Sequence, residues 1–177
     1  MLSSVGADSP SGNGQISSLY EFESMVKSVP DLSVVALRCA YFMENHLNSI
    51  PLLKNAGING GIIEPDSAFD MIATRDIASA ASEYLMNPTF SGYNVRYLLG
   101  PRDYSLREAT TILGAYIEKP DLMYVKFSFE EFKKGMVGAG FSPEAAEALY
   151  EGLTALGKGH LTKKRNPHFF KYNYHNY

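Results

Sequence analysis

Cysteine is nearly missing from this chain: Cys39 is the only one in 177 residues, which excludes an internal disulfide and suits a reducing compartment. Long hydrophobic runs are missing too. No stretch approaches the roughly 20 apolar residues that span a bilayer, and the opening MLSSVGADSP has neither a basic leader nor a long apolar segment. The expectation is a cytoplasmic protein without a membrane partner. Charge of one sign is lacking as well. The net charge is −3 and the pI near 5.8, with acids and bases interspersed, so nothing pulls the chain toward a polyanion and no nucleic-acid partner is expected. The histidines do not gather: His46 stands alone beside Glu44 and Asn45, and His160, His168 and His175 fall at spacings that match no zinc pattern. No metal site and no solenoid repeat is predicted.

What is present is apolar content enough for one domain with a real core. The chain is organised around Leu32–Asn48, where Leu32, Val34, Val35, Ala36 and Leu37 form a nearly continuous apolar run. A run of that length reads as a strand buried on both faces, as in parallel sheets. The strand is expected to leave its sheet at Arg38, turn through Cys39, Tyr41 and Phe42, and enter a helix over Met43 to Lys54. Because ligands of open α/β sheets bind outside the carboxyl ends of the strands, Arg38 to Asn45 is the predicted ligand wall.

Before this run, Met1 to Val5 reads as a strand, and Ile16, Leu19, Phe22, Val26 and Val29, joined by Tyr20 and Met25, recur at helical steps as one buried face. Strand, helix, strand in that order is a βαβ crossover. Further on, Ile62–Ile63 and Phe69 to Ala73 are strand candidates. Thr74 is placed to cap a helix through Ile77, Ala81 and Leu85, ended by Asn87-Pro88. Tyr93 to Leu99 reads as a strand. Ser105 with Glu108 makes a capping box before the helix of Leu106 to Tyr116. A strand over Met123 to Phe127, a second capping box at Ser128 and Glu131, and a helix opened by Ser142-Pro143 complete a small cap. From His160 the apolar period stops, and the basic, aromatic KKRNPHFFKYNYHNY is expected to be a frayed tail rather than a nucleic-acid contact.

Four phrases carry a resemblance: Ser3-Ser4-Val5-Gly6-Ala7; Leu37-Arg38 before Tyr41-Phe42-Met43-Glu44-Asn45; Met71-Ile72-Ala73-Thr74-Arg75-Asp76-Ile77-Ala78; and Gly100-Pro101-Arg102 before Ser105 and Glu108-Ala109. In this order they resemble the C-terminal half of an NmrA-like protein, an atypical short-chain dehydrogenase/reductase, over about residues 2 to 158. The resemblance implies an α/β fold: the later, C-terminal part of a Rossmann-like parallel sheet with flanking helices and a helical substrate-side cap. Residues 1–119 would be the Rossmann-like part, 120–159 the cap and 160–177 the tail. It further implies NADP or NAD as cofactor, with Ser3, Ser4, Cys39, Ala40 and Tyr41 on the cofactor side and Phe42 and Asn45 on the side of an unidentified small-molecule substrate.

Three departures bear on activity. The Gly-rich turn that cradles the pyrophosphate is missing; Gly135, Gly138 and Gly140 have the wrong spacing and read as helix-end glycines. A serine–tyrosine–lysine set is incomplete: Ser24, not lysine, stands four residues beyond Tyr20, and Lys27 lies a heptad away, so Tyr20 reads as a core-edge aromatic and no catalytic residue is assigned. At Cys39-Ala40 the family commonly has Pro-Gly, and Cys39 reads as a small buried hydrophobe. Tyr41 and Asn45 keep two readings, pocket lining for a flat ligand or packing beneath the next helix. The resemblance therefore implies an NAD(P)H-dependent oxidoreductase-type protein represented by its substrate-side portion. The alternatives are a non-enzymatic dinucleotide sensor or regulator-binding module, or an inactive remnant. The first strand is also expected to present an unpaired edge, through which the chain self-associates or pairs with a missing segment.

Overall fold

The computed structural model describes residues 1–161. Its centre is a parallel three-stranded sheet of order β1-β2-β6, formed by β1 (Leu2–Ser4), β2 (Val34–Cys39) and β6 (Tyr93–Leu98). The βαβ crossover is present: β1 leads through a loop and the short 3-10 turn Gly14–Ile16 into helix α1 (Ser17–Lys27), which returns the chain to β2 parallel to β1. Val35 to Ala40 are all buried, as expected for a strand covered on both faces.

The strand does not leave the sheet at Arg38. Arg38 pairs with Ser3 on one side and Tyr97 on the other, and Cys39 pairs with Ser4 and Leu98. A charge can remain in a central strand only if its partner is brought to it, and that partner is Glu23. This also corrects the expected face of α1. Glu23 is buried, whereas Phe22 is 50% and Met25 67% exposed, because the helix is rotated to deliver its one buried carboxylate to Arg38.

Beyond Ala40, β3 (Tyr41–Phe42) pairs in parallel with β5 (Ala68–Ile72), which pairs antiparallel with β7 (Asp103–Ser105). Instead of one helix over Met43 to Lys54, a 3-10 stretch runs over Met43–Ser49 and α2 over Ile50–Ala56; Pro51, which lacks an N–H, is accommodated at the first turn of α2. The predicted strand at Ile62–Ile63 lies slightly earlier, as β4 (Asn59–Gly61), and both isoleucines are core residues after it. Helices α3 (Thr74–Met86) and α4 (Leu106–Tyr116) lie where expected. Ser105 accepts from Glu108 N–H, but the Glu108 carboxylate turns to Arg102, so only half of the first capping box forms; the second, Ser128 with Glu131, is complete.

Strand β8 (Tyr124–Lys126) pairs with β4, and α5 (Phe129–Gly138) and α6 (Pro143–Gly157) follow. One core unites these parts: Phe69, Met71, Leu37, Leu98, Ala155 and Leu156 belong to the same buried cluster. Leu161 is also buried; the rest of the expected tail, residues 162–177, lies outside the described residues. Among the described residues no helix is long and apolar enough to cross a membrane.

Candidate functional site

A cleft of about 450 Å³ opens at the carboxyl ends of β1 and β2. Its floor is the strand pair itself, with Ser4 beside Cys39 in the ladder and Ala40 and Tyr41 continuing the second strand. Gln15 and Ile16 of the 3-10 turn and Leu19 of α1 form one wall, and Leu149, Gly152, Leu153 and Leu156 of α6 the facing one. Backbone contact brings these walls together. A side chain at Gly152 would put its Cβ 3.0 Å from the Asn13 carbonyl, and one at Gly14, where φ is +58°, would lie 2.0 Å from the Ala148 carbonyl. Only glycine at both places lets α6 rest on the loop.

All seven residues singled out from the sequence, Ser3, Ser4, Cys39, Ala40, Tyr41, Phe42 and Asn45, line this one cleft. Their chemistry differs. The Ser3 hydroxyl donates to the Glu23 carboxylate and is committed there. Glu23 also accepts from Arg38 Nη2 at 2.5 Å and from the Tyr93 hydroxyl at 2.6 Å, while Arg38 Nη1 donates to the Tyr97 hydroxyl at 2.8 Å. Burial pushes the Glu23 carboxyl up, but the hydrogen bonds from Arg38, Ser3 and Tyr93 outweigh it and hold it below its ordinary value. The cluster ties α1 to all three strands of the sheet directly beneath the cleft.

Tyr41 is fixed by its neighbours: its ring meets Phe69 edge-on at 5.4 Å and His46 at 5.9 Å. Burial pushes its hydroxyl up to about 12, against a lowering hydrogen bond with Asn45. Burial likewise pushes the Cys39 thiol up to about 12. Both groups are protonated at neutral pH, so neither is a nucleophile or a base. Burial lowers the pKa of His46 and keeps its ring neutral. Among the described residues no charged side chain lines the cleft. It is an apolar slot with hydrogen-bonding groups at Ser4, Gln15, Tyr41 and Asn45, able to hold a flat, largely apolar ligand and to orient a carbonyl or amide edge. Tyr20 is half-buried, and Lys27 turns away to lie 5.8 Å over the Tyr93 ring, so Tyr20 and Lys27 do not form a pair.

Sequence reasoning missed the α6 wall and Glu23. The α6 residues have no motif of their own; they sit on an ordinary apolar helix face. Glu23 did leave a signal: an acid amid the apolar positions of α1 and an arginine ending an apolar strand, each unaccountable without the other.

The sequence matches no family model and no curated protein. Solved structures share its fold. An NADPH-dependent quinone oxidoreductase from Escherichia coli superposes with a TM-score of 0.76 at 23% identity, over 92% of this chain and 57% of that one. A nucleoside-diphosphate-sugar epimerase from Staphylococcus aureus gives 0.70 at 22%, over 93% and 56%, and the Citrobacter sp. triphenylmethane reductase complexed with NADP(H) gives 0.67 at 18%, over 93% and 56%. The likeness is one of fold: the chain is α/β with a Rossmann-like part-sheet, as the resemblance implied, and it spans little more than half the length of these proteins.

Proposed function

We propose that this chain is the substrate-side part of an NmrA-like, NADP(H)-dependent oxidoreductase-type protein, and that the cleft receives the nicotinamide end of the dinucleotide together with a flat apolar substrate. The observation that carries this is a charge-free slot at the carboxyl ends of parallel β1 and β2, the place where open α/β sheets bind ligands. The residues fit one end of the cofactor and not the other. Ala40 and Cys39 make a low floor on which a planar ring can lie, and Ser4, Tyr41 and Asn45 can hydrogen-bond a carboxamide or a substrate carbonyl. For the diphosphate, by contrast, no cation among the described residues lines the cleft, and the loop from β1 to α1 spaces its glycines as Gly6, Gly12 and Gly14 rather than in the tight turn that cradles a pyrophosphate. When bound, a reduced nicotinamide supplies hydride. This chain's own residues exclude water, through the leucines of α6, and hold the ring edge. The free thiol Cys39 suits a reducing compartment, and the reading includes a cytoplasmic location.

A second reading, dinucleotide sensing without turnover, is favoured by one feature: Cys39 and Tyr41, the cleft groups best suited to proton transfer, both have pKa values pushed up to about 12. Calorimetric titration of NADPH and NADH, followed by oxidation assays with quinones and aromatic carbonyls, separates the two. Binding with turnover supports the oxidoreductase, binding without turnover selects the sensor, and no binding at millimolar dinucleotide overturns both.

A further inference from the structure

Among the described residues, Gln15 is the one polar side chain on the side of the cleft built by the Gly14–Ile16 turn, α1 and α6; Ile16, Leu19, Leu149, Leu153 and Leu156 around it are apolar. The other polar side chains stand on the strand side, and most are engaged there. The Ser3 hydroxyl serves Glu23, and Tyr41 is hydrogen-bonded with Asn45. The Gln15 carboxamide has no hydrogen-bond partner among the described residues. The turn that carries it is nonetheless held firmly. Asn13, 1% exposed, donates through Nδ2 to the Gly6 and Ser9 carbonyls at 2.9 and 3.0 Å, and Ser17 Oγ donates to the Gly14 carbonyl at 2.8 Å. Gly14 itself is pressed against the Ala148 carbonyl of α6. The head of Gln15 lies along Gly152, where a Cβ would stand 2.8 Å from its Oε1. A glutamine confined in this way has less freedom left to lose when it holds a ligand.

The geometry points to Gln15 as the residue that selects the substrate: its Nε2 donates to an acceptor oxygen on the edge of a neutral, planar, otherwise apolar molecule lying between the β1–β2 floor and the leucines of α6. The inference rests on the reading of this cleft as the ligand site of an oxidoreductase-type protein and deepens it, adding to Ser4, Tyr41 and Asn45 a contact from the opposite wall. A carboxamide offers two N–H donors and no charge. A hydrocarbon of the same shape leaves those donors without a partner beneath it. An acidic ligand meets a different obstacle, since among the described residues no cation stands in the cleft to balance a carboxylate.

The test is calorimetric titration with three planar probes, 2-acetylnaphthalene, 2-ethylnaphthalene and 2-naphthoate, on the purified chain and on Gln15→Leu and Gln15→Glu. Glutamate keeps the shape of glutamine and loses the donor. The wild type is expected to bind the ketone about fivefold more tightly than the hydrocarbon, the worth of one ordinary hydrogen bond, and the naphthoate most weakly. Both variants are expected to lose the preference for the ketone, while Gln15→Leu binds the hydrocarbon as tightly as the wild type. Circular dichroism verifies that they are folded. A ketone preference that is absent from the wild type, or survives in both variants, overturns the proposal and leaves the cleft as a ligand site. So does a preference lost in Gln15→Leu and kept in Gln15→Glu, which assigns the effect to packing, and so does a naphthoate that binds best. Failure of all three probes to bind overturns the proposal together with the apolar slot. Titration of NADPH reports on the dinucleotide separately, and its failure leaves a Gln15-dependent ketone preference standing.

Discussion

Glu23 and Arg38 are the residues on which the sheet and α1 depend together. Their side chains are 5% and 11% exposed, and a pair this buried is worth little net against a well-packed apolar pair but costs about 3–5 kcal/mol when one partner is removed. Glu23→Leu is expected to lose that much in urea unfolding, whereas Glu23→Leu with Arg38→Met recovers a large part of it, since no charge is then stranded. The acid limb follows from the sign of the shift. The Glu23 carboxyl is held below its ordinary 4.5, so its contribution is complete above that value and is lost as pH falls through the lower folded-state value. Wild-type stability should drop in that window, and the double variant should drop less steeply; an identical pH profile for the two would remove Glu23 from the account. Ser3 depends on the same pair, because its hydroxyl serves Glu23 rather than the cleft.

At the scale of elements, helix starts and stops were legible where the signal is local. Ser128 with Glu131, Ser142 with Pro143, and Asn87 act as their types require. What was not legible is capping from a distance. Thr74 reads as an N-cap, yet the helix begins with it: Thr74 N–H donates to the Glu44 carboxylate at 2.9 and 3.0 Å, and its hydroxyl donates at 2.7 Å. The cap thus comes from the 3-10 stretch thirty residues earlier, whose first turn carries Glu44. Glu44→Ala is expected to cost about 1 kcal/mol, the usual loss for an N-cap, read as a lower urea midpoint at unchanged m-value. The rotation of α1 was hidden for a related reason. Apolar spacing alone allowed Phe22, Met25 and Val29 as the inner face, and only the partner strand shows that the acid, not the phenylalanine, goes inside.

Across the whole molecule, the parallel sheet and the place of the cleft at its carboxyl edge could be read in advance because a long apolar run followed by polar and aromatic residues is a local pattern. The opposite wall could not, since nothing near Leu149 or Leu153 in the sequence refers to a strand more than a hundred residues away. A ligand of the proposed kind, seated between them, would touch β1, β2 and α6 at once, and at a hundred times its Kd it adds about 2.7 kcal/mol. NADPH should therefore raise the melting temperature of the wild type. Leu149→Glu, which puts a charge on a half-buried position of the α6 wall, should abolish the rise without unfolding the protein, as followed by differential scanning fluorimetry. The meeting of α6 with the Gly14 loop has a consequence for selectivity. Where two walls touch through their backbones at Gly14 and Gly152, only a side chain introduced at those glycines would draw them apart, so the thickness of an admissible guest is set by the main chain. Its breadth, by contrast, is left to the leucines. A related protein could change which planar molecule it accepts by altering those leucines, but a guest with bulk above and below its plane would have to lever a fifteen-residue helix off its seat.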